Sequence, residues 1–217
     1  MPVNRYFDQL YRAVTRYWWR REDRYSTDPA DFHDSHITRE TLRALSRRPA
    51  GTALDIGAGE GADSIRLARL GYKVTAVDIS AAAGEKIEQF AAEAGVNIRV
   101  QVADVGQYEF DDSYDVVICN GVLHYVADKE GVVRSMQEAT NPGGLNVVSL
   151  WSTFTPVPGC HNSVSVYCDD EDGVVTRAYG SWASKYLYFD RDKPETAHDD
   201  LPDHSHSHIK LIAEKPR

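Results

Sequence analysis

Thr52-Ala-Leu-Asp-Ile-Gly-Ala-Gly-Glu-Gly-Ala-Asp-Ser64 is the stretch from which the fold can be predicted. Its first five residues form a short apolar run with an acid near its end, which is typical of a buried parallel strand. Alternating glycines from Gly57 to Gly61 then allow a turn too tight for side chains, and helical spacing resumes at Ala62. Because the first amides of a helix are free to bind a ligand, we predict a strand, a glycine turn and a ligand-binding helix N-terminus.

The acids of this stretch indicate which ligand it binds. Gly57-x-Gly59-x-x-Ala62 also matches the dinucleotide fingerprint, but Asp55 and Glu60 would repel a pyrophosphate. A cofactor with an ammonium and a sulfonium would be attracted by both acids, and S-adenosylmethionine (SAM) is such a cofactor. A P-loop signature is absent from the sequence. We therefore predict SAM as the cofactor, and a nicotinamide dehydrogenase is a disfavoured alternative.

Lys73 to Ile79 predicts a second parallel strand, which ends at Asp78. Asp78 follows the glycine turn at the separation expected of a ribose-binding acid, about 20 residues. A carboxylate at this position can accept hydrogen bonds from both ribose hydroxyls. Helix capping is the alternative role, but Ser80 is available for it. We therefore predict that Asp78 binds ribose.

Five short motifs, taken in order, resemble those of class I SAM-dependent methyltransferases. They are Leu54-Asp-Ile-Gly-Ala-Gly-Glu-Gly61, Val77-Asp-Ile-Ser80, Ala103-Asp-Val105, Tyr114-Asp-Val-Val-Ile-Cys-Asn120 and Asn141-Pro-Gly-Gly144. The chain is most similar to the small tellurite-resistance-type (TehB-like) group, from about Tyr25 onward. The resemblance implies an α/β, Rossmann-like fold. In that fold a mostly parallel seven-stranded sheet carries a C-terminal antiparallel hairpin and an N-terminal helical cap.

The resemblance also implies which residues hold the cofactor. Asp104 occupies the position from which a carboxylate accepts a hydrogen bond from the adenine amino group, and Val105 would lie beside that ring. Asn120, at the end of the predicted fourth strand, can reach the methionyl part of SAM. The predicted cofactor-binding residues are therefore Asp55, Gly57, Ala58, Gly59, Asp78, Ile79, Asp104, Val105 and Asn120.

Three residues are candidates to orient the substrate. His124 and Tyr125 follow the fourth strand, at the sheet edge where ligands of such folds bind. A histidine can take a proton near neutral pH, although a sulfonium is electrophilic enough for orientation alone to suffice. Arg177 falls where the tellurite-type proteins are similar again. It can bind a carboxylate or another oxyanion, and a surface arginine is the alternative.

The N-terminal segment is predicted to be helical. Residues 2–24 have helical spacing, with an apolar face that comprises Phe7, Leu10, Tyr11, Val14 and Trp18. Packing of this face on the domain is the simpler interpretation, and a lid with aromatic rings near the sulfonium is the alternative. We divide the chain into an N-terminal cap or lid, 1–48, and a SAM-binding Rossmann-like domain, 49–217.

Histidines alternate near the end of the chain. His204, His206 and His208 would share one face of an extended strand, where a transition metal could bind. They follow a polar stretch between two predicted antiparallel strands, 184–190 and 208–213. We interpret this stretch as a solvated hairpin tip and predict no metal site.

Composition narrows the class of protein. The 217 residues carry a net charge of -9 without a basic stripe, so we expect one domain that does not bind nucleic acid. A membrane span and a signal peptide are not expected either. Three cysteines without C-x-x-C spacing indicate free thiols and a cytoplasmic location.

Together these features predict an enzyme that transfers a methyl group from SAM to a small molecule. The aromatic N-terminal segment motivates an alternative, in which SAM itself is cyclised to azetidine-2-carboxylate and methylthioadenosine. A SAM-binding sensor or partner subunit without activity is a further alternative, against which His124, Tyr125 and Arg177 count. The acceptor and the oligomeric state stay open.

Overall fold

A computed structural model describes residues 1–13, 25–33, 35–195 and 202–217. The strands are β1 Thr52–Ile56, β2 Lys73–Asp78, β3 Ile98–Val102, β4 Tyr114–Asn120, β5 Thr140–Trp151, β6 Ala183–Glu195 and β7 His204–Glu214. The helices are α1 Val3–Ala13, α2 His36–Leu45, α3 Ala62–Arg69, α4 Ala81–Ala94, α5 Lys129–Glu138 and α6 Val174–Ala178. Within these ranges, no helix has both the length and the apolar character that a membrane crossing requires.

The strands form one sheet in the order β3-β2-β1-β4-β5-β7-β6. The first five in this order are parallel, whereas β7 runs antiparallel to both β5 and β6. The order reverses between β1 and β4, and the carboxyl ends of strands at such a reversal open the crevice in which doubly wound folds bind ligands. The predicted α/β, Rossmann-like fold with its C-terminal antiparallel hairpin is confirmed.

Strand β4 is buried on both sides of the sheet. Val117 and Cys119 belong to an apolar cluster that includes the inner face of α5. Val116 and Ile118 belong to a second cluster, together with residues of α2 and α3. Because successive side chains of a strand point to opposite faces, a central strand needs an almost continuous apolar sequence, and β4 has one.

Two boundaries near the end of the sheet differ from the prediction. Strand β5 begins at Thr140 rather than Leu145, because Thr140 pairs with Tyr114 before the Pro-Gly-Gly turn shifts the register. Strands β6 and β7 remain paired up to Glu195 and His204. His204 and the residues after it therefore lie in the sheet, and the prediction of a solvated hairpin tip is wrong for them.

The described part of the N-terminal segment is helix α1, which packs on the start of α4. Tyr11 contacts the first turn of α4. Asp8 Oδ1 accepts hydrogen bonds from Ser80 Oγ at 3.0 Å and from Ala82 N at 2.9 Å. The predicted continuation of this helix over 14–24 lies outside the described residues, and the division at residue 48 stays a prediction.

One amide lies inside the apolar core. Asn146 of β5 is completely buried. Its Oδ1 accepts a hydrogen bond from Thr140 Oγ1 at 2.7 Å, and its Nδ2 donates one to Tyr179 Oη at 2.8 Å. Burial raises the pKa of Tyr179, so its hydroxyl stays neutral. The amide thus links β5 to the residue that follows α6, and its polar atoms are paired as burial requires.

We expect Asn146→Leu to lower the free energy of unfolding by about 1–3 kcal/mol, because two buried hydroxyls lose a partner. Denaturant titration measures the change. Asn97→Leu, at an exposed position before β3, is the matched control and should alter stability by less than about 0.5 kcal/mol. Equal effects of the two substitutions would contradict a structural role for the amide.

Candidate active site

A cavity of about 590 Å³ lies at the carboxyl ends of the parallel strands. All of the predicted cofactor-binding residues line it, namely Asp55, Gly57, Ala58, Gly59, Asp78, Ile79, Asp104, Val105 and Asn120. His124 and Tyr125 line it as well. Its volume is in the range of pockets that enclose a cofactor-sized ligand. Residues far apart in the sequence are therefore brought together in one site.

The glycine turn forms one wall of the cavity. Gly57 and Gly59 have φ values of 64° and 55°, in the left-handed region that favours glycine. A Cβ atom on Gly57 would lie 2.1 Å from Val122, and one on Gly59 would lie 2.8 Å from Tyr11 Oη. Backbone atoms border the cavity here because no side chain intervenes.

Asp78 holds this turn in place. Its Oδ2 accepts a hydrogen bond from Gly59 N at 2.8 Å, and its Oδ1 accepts one from Ser80 N at 2.9 Å. Ser80 Oγ in turn accepts from Ala83 N and caps α4, as predicted. Desolvation raises the pKa of Asp78 in spite of these hydrogen bonds. Each carboxylate oxygen retains a lone pair that a ligand hydroxyl can use.

A second acidic group lies at the end of β1. Asp55 Oδ2 accepts a hydrogen bond from Ser64 Oγ at 2.6 Å, and Asp63 Oδ2 accepts one from Asn120 Nδ2 at 2.9 Å. Desolvation and the charge of Asp63 raise the pKa of Asp55. Asn120 Oδ1 is buried and has no hydrogen-bond partner among the described residues. Buried carboxyl groups and an orphaned acceptor suit a ligand that brings positive charge and N–H donors.

Glu60 contributes less negative charge to the site than its position in the sequence suggests. Its buried carboxylate forms an ion pair with Lys86 Nζ at 2.7 Å. This ion pair offsets the expected repulsion of a pyrophosphate by Glu60. The electrostatic case against a dinucleotide therefore depends mainly on Asp55.

His124 is buried beside the cavity and stacks on Trp151, with ring centroids 4.2 Å apart. Desolvation, followed by the neighbouring histidines, lowers its pKa well below the usual value, so the ring is neutral at physiological pH. Its Nδ1 accepts a hydrogen bond from Trp151 N at 3.3 Å. The hydrogen atom of the neutral ring therefore lies on Nε2, which makes His124 a hydrogen-bond donor there rather than a proton acceptor.

Arg177 is not brought to the site. It lies on α6 with an exposed side chain, and its Nη1 donates a hydrogen bond to the carbonyl oxygen of Asp172 at 2.5 Å. It is not among the lining residues of the cavity in the described part of the chain. Its helix α6 packs against α5, and the role of Arg177 in orienting the substrate stays a prediction without support from the cavity lining.

Helix α1 closes one side of the cavity with apolar residues. Val3, Tyr6, Phe7, Leu10 and Tyr11 all line it. The Phe7 ring also meets the Tyr125 ring edge to face, with centroids 5.1 Å apart. The helix thus packs on the domain and also lines the cavity, and its action as a lid near the sulfonium stays a prediction.

Several lining residues were not predicted. They include Asp63, Ser149, Lys193, Glu195 and His208. Trp151 and His161 bound the irregular segment after β5, and loops at this edge of a sheet commonly carry specificity. Lys193, Glu195 and His208 come from the antiparallel strands. Their place at the cavity depends on the register of β6 against β7, which a local sequence pattern does not reveal.

Three histidines meet at the border of the cavity. His161 Nε2 lies 3.4 Å from His204 Nε2 and 3.1 Å from His206 Nε2. All three ligand atoms lie within 4.8 Å of one another. Desolvation, followed by the charges of the neighbouring histidines, lowers the pKa of His206 to about 3, so its ring is neutral at pH 7.

We expect Asp55→Asn to stabilise the ligand-free protein at neutral and alkaline pH. A carboxyl group whose pKa is raised on folding stabilises the protein at low pH, and this contribution is lost as the pH rises through the folded-state pKa. The Tm of the variant should therefore match that of the wild type near pH 4. At pH 8 it should be about 3–6 °C higher, which corresponds to roughly 1–2 kcal/mol in the free energy of unfolding. Thermal unfolding at several pH values measures this difference.

Asp112→Asn is the control for Asp55→Asn, because it removes the same charge from an exposed side chain. It should leave the pH dependence of Tm unchanged. A constant difference in Tm between Asp55→Asn and the wild type from pH 4 to pH 8 would contradict the raised pKa.

Comparison with known proteins agrees with this site. A family model described as a methyltransferase domain matches residues 53–144. The chain is 30% identical over 137 residues to a ubiquinone biosynthesis O-methyltransferase of Pseudomonas paraeruginosa, covering 62% of this chain and 57% of that protein. It is 26% identical over 145 residues to the enzyme of the same name from Rickettsia akari, covering 64% and 57%. The chain thus spans less than two thirds of these curated relatives.

A solved structure is similar over more of the chain. The crystal structure of TehB from Haemophilus influenzae superposes with a TM-score of 0.71 and 19% identity, covering 81% of this chain and 61% of that one. At this identity the likeness bears on the fold alone. Residues 53–144 therefore match a methyltransferase domain, and the fold of the chain agrees with that of TehB.

Proposed function

We propose that this protein is a methyltransferase that uses SAM to methylate a small molecule. The observation that carries the proposal is the convergence of the glycine turn, Asp55, Asp78 and the orphaned Asn120 Oδ1 on one cavity. These groups suit a cationic ligand with N–H donors and ribose hydroxyls. The methyltransferase domain match and the O-methyltransferases among the relatives support the same activity.

Each side chain has a distinct role in holding SAM. The lone pairs that remain on Asp78 accept hydrogen bonds from the ribose hydroxyls. Asn120 Oδ1, which lacks a partner in the described chain, accepts one from the α-ammonium. Asp104, which is exposed at the cavity edge, accepts one from the adenine amino group, and Val105 lies beside the ring. A bound cation would favour the ionised form of the Asp55 carboxyl group, whose pKa is raised in the ligand-free protein.

The chain itself contributes orientation and exclusion of water. SAM supplies an electrophilic methyl group, which passes to a nucleophilic atom of the acceptor with release of S-adenosylhomocysteine. Helix α1 covers the cavity with apolar side chains, so the reaction takes place away from bulk water. His124, as a neutral donor from Nε2, orients the acceptor or another ligand group and does not remove a proton.

The lining residues favour a small acceptor with a flat apolar part and a polar group. Tyr125 and Trp151 offer aromatic faces, with ring centroids 5.8 Å apart. Lys193 and Glu195 place opposite charges on the same cavity. Closure of one side of the cavity by α1 favours a small acceptor over a polymer. Nothing in the relatives supports cyclisation of SAM, since those reported above are named as methyltransferases.

We expect Asp104→Ala to weaken SAM binding about tenfold, the equivalent of one hydrogen bond to a charged group. Isothermal titration calorimetry measures the affinity, and Asp112→Ala, an exposed acid outside the cavity, is the control. An analogue with oxygen in place of the adenine amino group should bind the wild type and Asp104→Ala equally. If Asp104→Ala binds SAM as tightly as the wild type, the assignment of Asp104 is wrong.

The activity is tested by incubating the protein with SAM and panels of small phenols, amines and thiols. We expect S-adenosylhomocysteine and a methylated acceptor by mass spectrometry, relative to controls without enzyme and without acceptor. His124→Phe should lower kcat by at least about tenfold, because one positioning hydrogen bond is lost. The ratio of the wild-type kcat to that of His124→Phe should be constant from pH 6 to 8, because the low pKa of His124 keeps its ring neutral in this range.

Three results would contradict these expectations. Enzyme-dependent methylthioadenosine without S-adenosylhomocysteine would overturn methyl transfer. Tight binding of SAM without turnover on any acceptor would favour a sensor. His124 would be a base if the wild-type kcat fell as the pH was lowered through an apparent pKa near 6.5 and the kcat of His124→Phe showed no such fall.

A further inference from the structure

We propose that His161, His204 and His206 bind a divalent transition metal ion, with Glu195 as an additional oxygen ligand. The donor set combines three imidazole nitrogens and one carboxylate, which suits zinc and its neighbours in the transition series. His204 and His206 alternate along β7, and His161 reaches them from the turn after β5. The site therefore depends on the tertiary structure, because a third histidine from a distant turn joins two alternating histidines of one strand.

Two of the three distances between the ring nitrogens match those around a tetrahedral ion, and all three ligand atoms lie within 4.8 Å of one another. With zinc–nitrogen bonds of 2.0–2.1 Å, two imidazole ligands of one tetrahedral zinc are about 3.3 Å apart. The Nε2 atom of His161 is 3.4 Å from that of His204 and 3.1 Å from that of His206. Glu195 Oε2 lies 3.6 Å from His204 Nε2. One ion can accept a lone pair from each of the three rings. A hydrogen atom on one ring, by contrast, can form a good hydrogen bond to only one other ring nitrogen.

The surroundings orient the rings for ligation. His204 Nδ1 donates a hydrogen bond to the Pro202 carbonyl at 2.7 Å, which leaves the lone pair of the neutral ring on Nε2. The His206 ring stacks on Trp151 with centroids 4.0 Å apart and an interplanar angle of 11°. Hydrogen bonds from the second ring nitrogen and packed ring faces are the features that hold metal-binding histidines in place.

Burial and charge are also consistent with a cation. His161 and His206 are 9% and 3% exposed, so an ion would be shielded from bulk water. Lys193 is the base that faces His206 in the described residues, and its charge opposes a cation there. The carboxylate of Glu195, which lies beside His204, attracts a cation and counteracts this repulsion. The site thus offers three ring nitrogens and one carboxylate as ligands.

The ion would lie next to the acceptor. His161 and Glu195 line the same cavity as Asn120 and His124. A metal at this position can bind an oxygen atom of the acceptor and lower its pKa, which favours the nucleophilic form. This role rests on the proposed function, whereas the metal site itself does not. The acceptor class would then be a molecule with a hydroxyl or carboxylate able to reach the ion.

Metal binding is tested with the full chain, without a polyhistidine tag and after dialysis against a chelator. Titration with Co²⁺, followed by its visible absorption, and with Zn²⁺ by calorimetry should give one saturable site per chain. Loss of a group that only supports a metal ligand lowers metal affinity by about 10–100-fold. His161 is a proposed direct ligand, so His161→Asn should lower the affinity by at least about 100-fold. Glu195→Gln should cost at least about tenfold, because an oxygen ligand loses its charge.

His33→Asn is the matched control, because it removes an exposed histidine away from the cavity. It should leave the affinity for Co²⁺ unchanged. His204→Asn serves in place of His161→Asn if the latter fails to fold, and thermal unfolding reports on the fold of every variant. A wild type without a saturable site, or a His161→Asn variant that binds as the wild type does, overturns the proposal. SAM is absent from these measurements, so their failure is distinct from that of methyl transfer.

Discussion

The hydrogen bond from Gly59 N to Asp78 Oδ2 is the contact on which the site depends. It joins the turn after β1 to the end of β2, and Asp78 also accepts from Ser80 N at the start of α4. The same carboxylate thus sets the path of the glycine turn, positions a helix start and faces the cavity. Its structural and binding roles cannot be separated by removing the side chain, because both use the same two oxygen atoms.

The cavity combines groups that oppose folding with groups that support it. Asp55 is buried near Asp63, and desolvation raises the pKa of its carboxyl group. Among the described residues, no cation contributes to this pKa. Asn120 Oδ1 is buried without a partner in the same part of the chain. By contrast, Asn146 in the core has both sides of its amide paired. The cavity thus contains a desolvated acid and an unpaired acceptor where a ligand is expected, as is common when stability is given up for function.

Much of the cofactor half of the site could be predicted, because its signals are local. The glycine turn requires positive φ angles, β1 and β2 end in acids, and parallel strands bring their carboxyl ends to one edge. Arg177 was proposed from a resemblance alone, and a resemblance does not show on which side of the sheet the short helix α6 packs. His161 was missed because it lies 43 residues before His204, and only the fold brings the two together.

The sequence by itself determined the strand-turn-helix unit, a mostly parallel sheet and many of the residues that line the cavity. These follow from hydrophobic period, glycine conformations and the common edge of a parallel sheet. Only the tertiary structure decided the substrate half, where α1, the segment after β5 and the β6–β7 pair meet. The register of β6 against β7 and the docking of α1 on α4 arise from contacts between distant residues, which leave no local pattern in the chain.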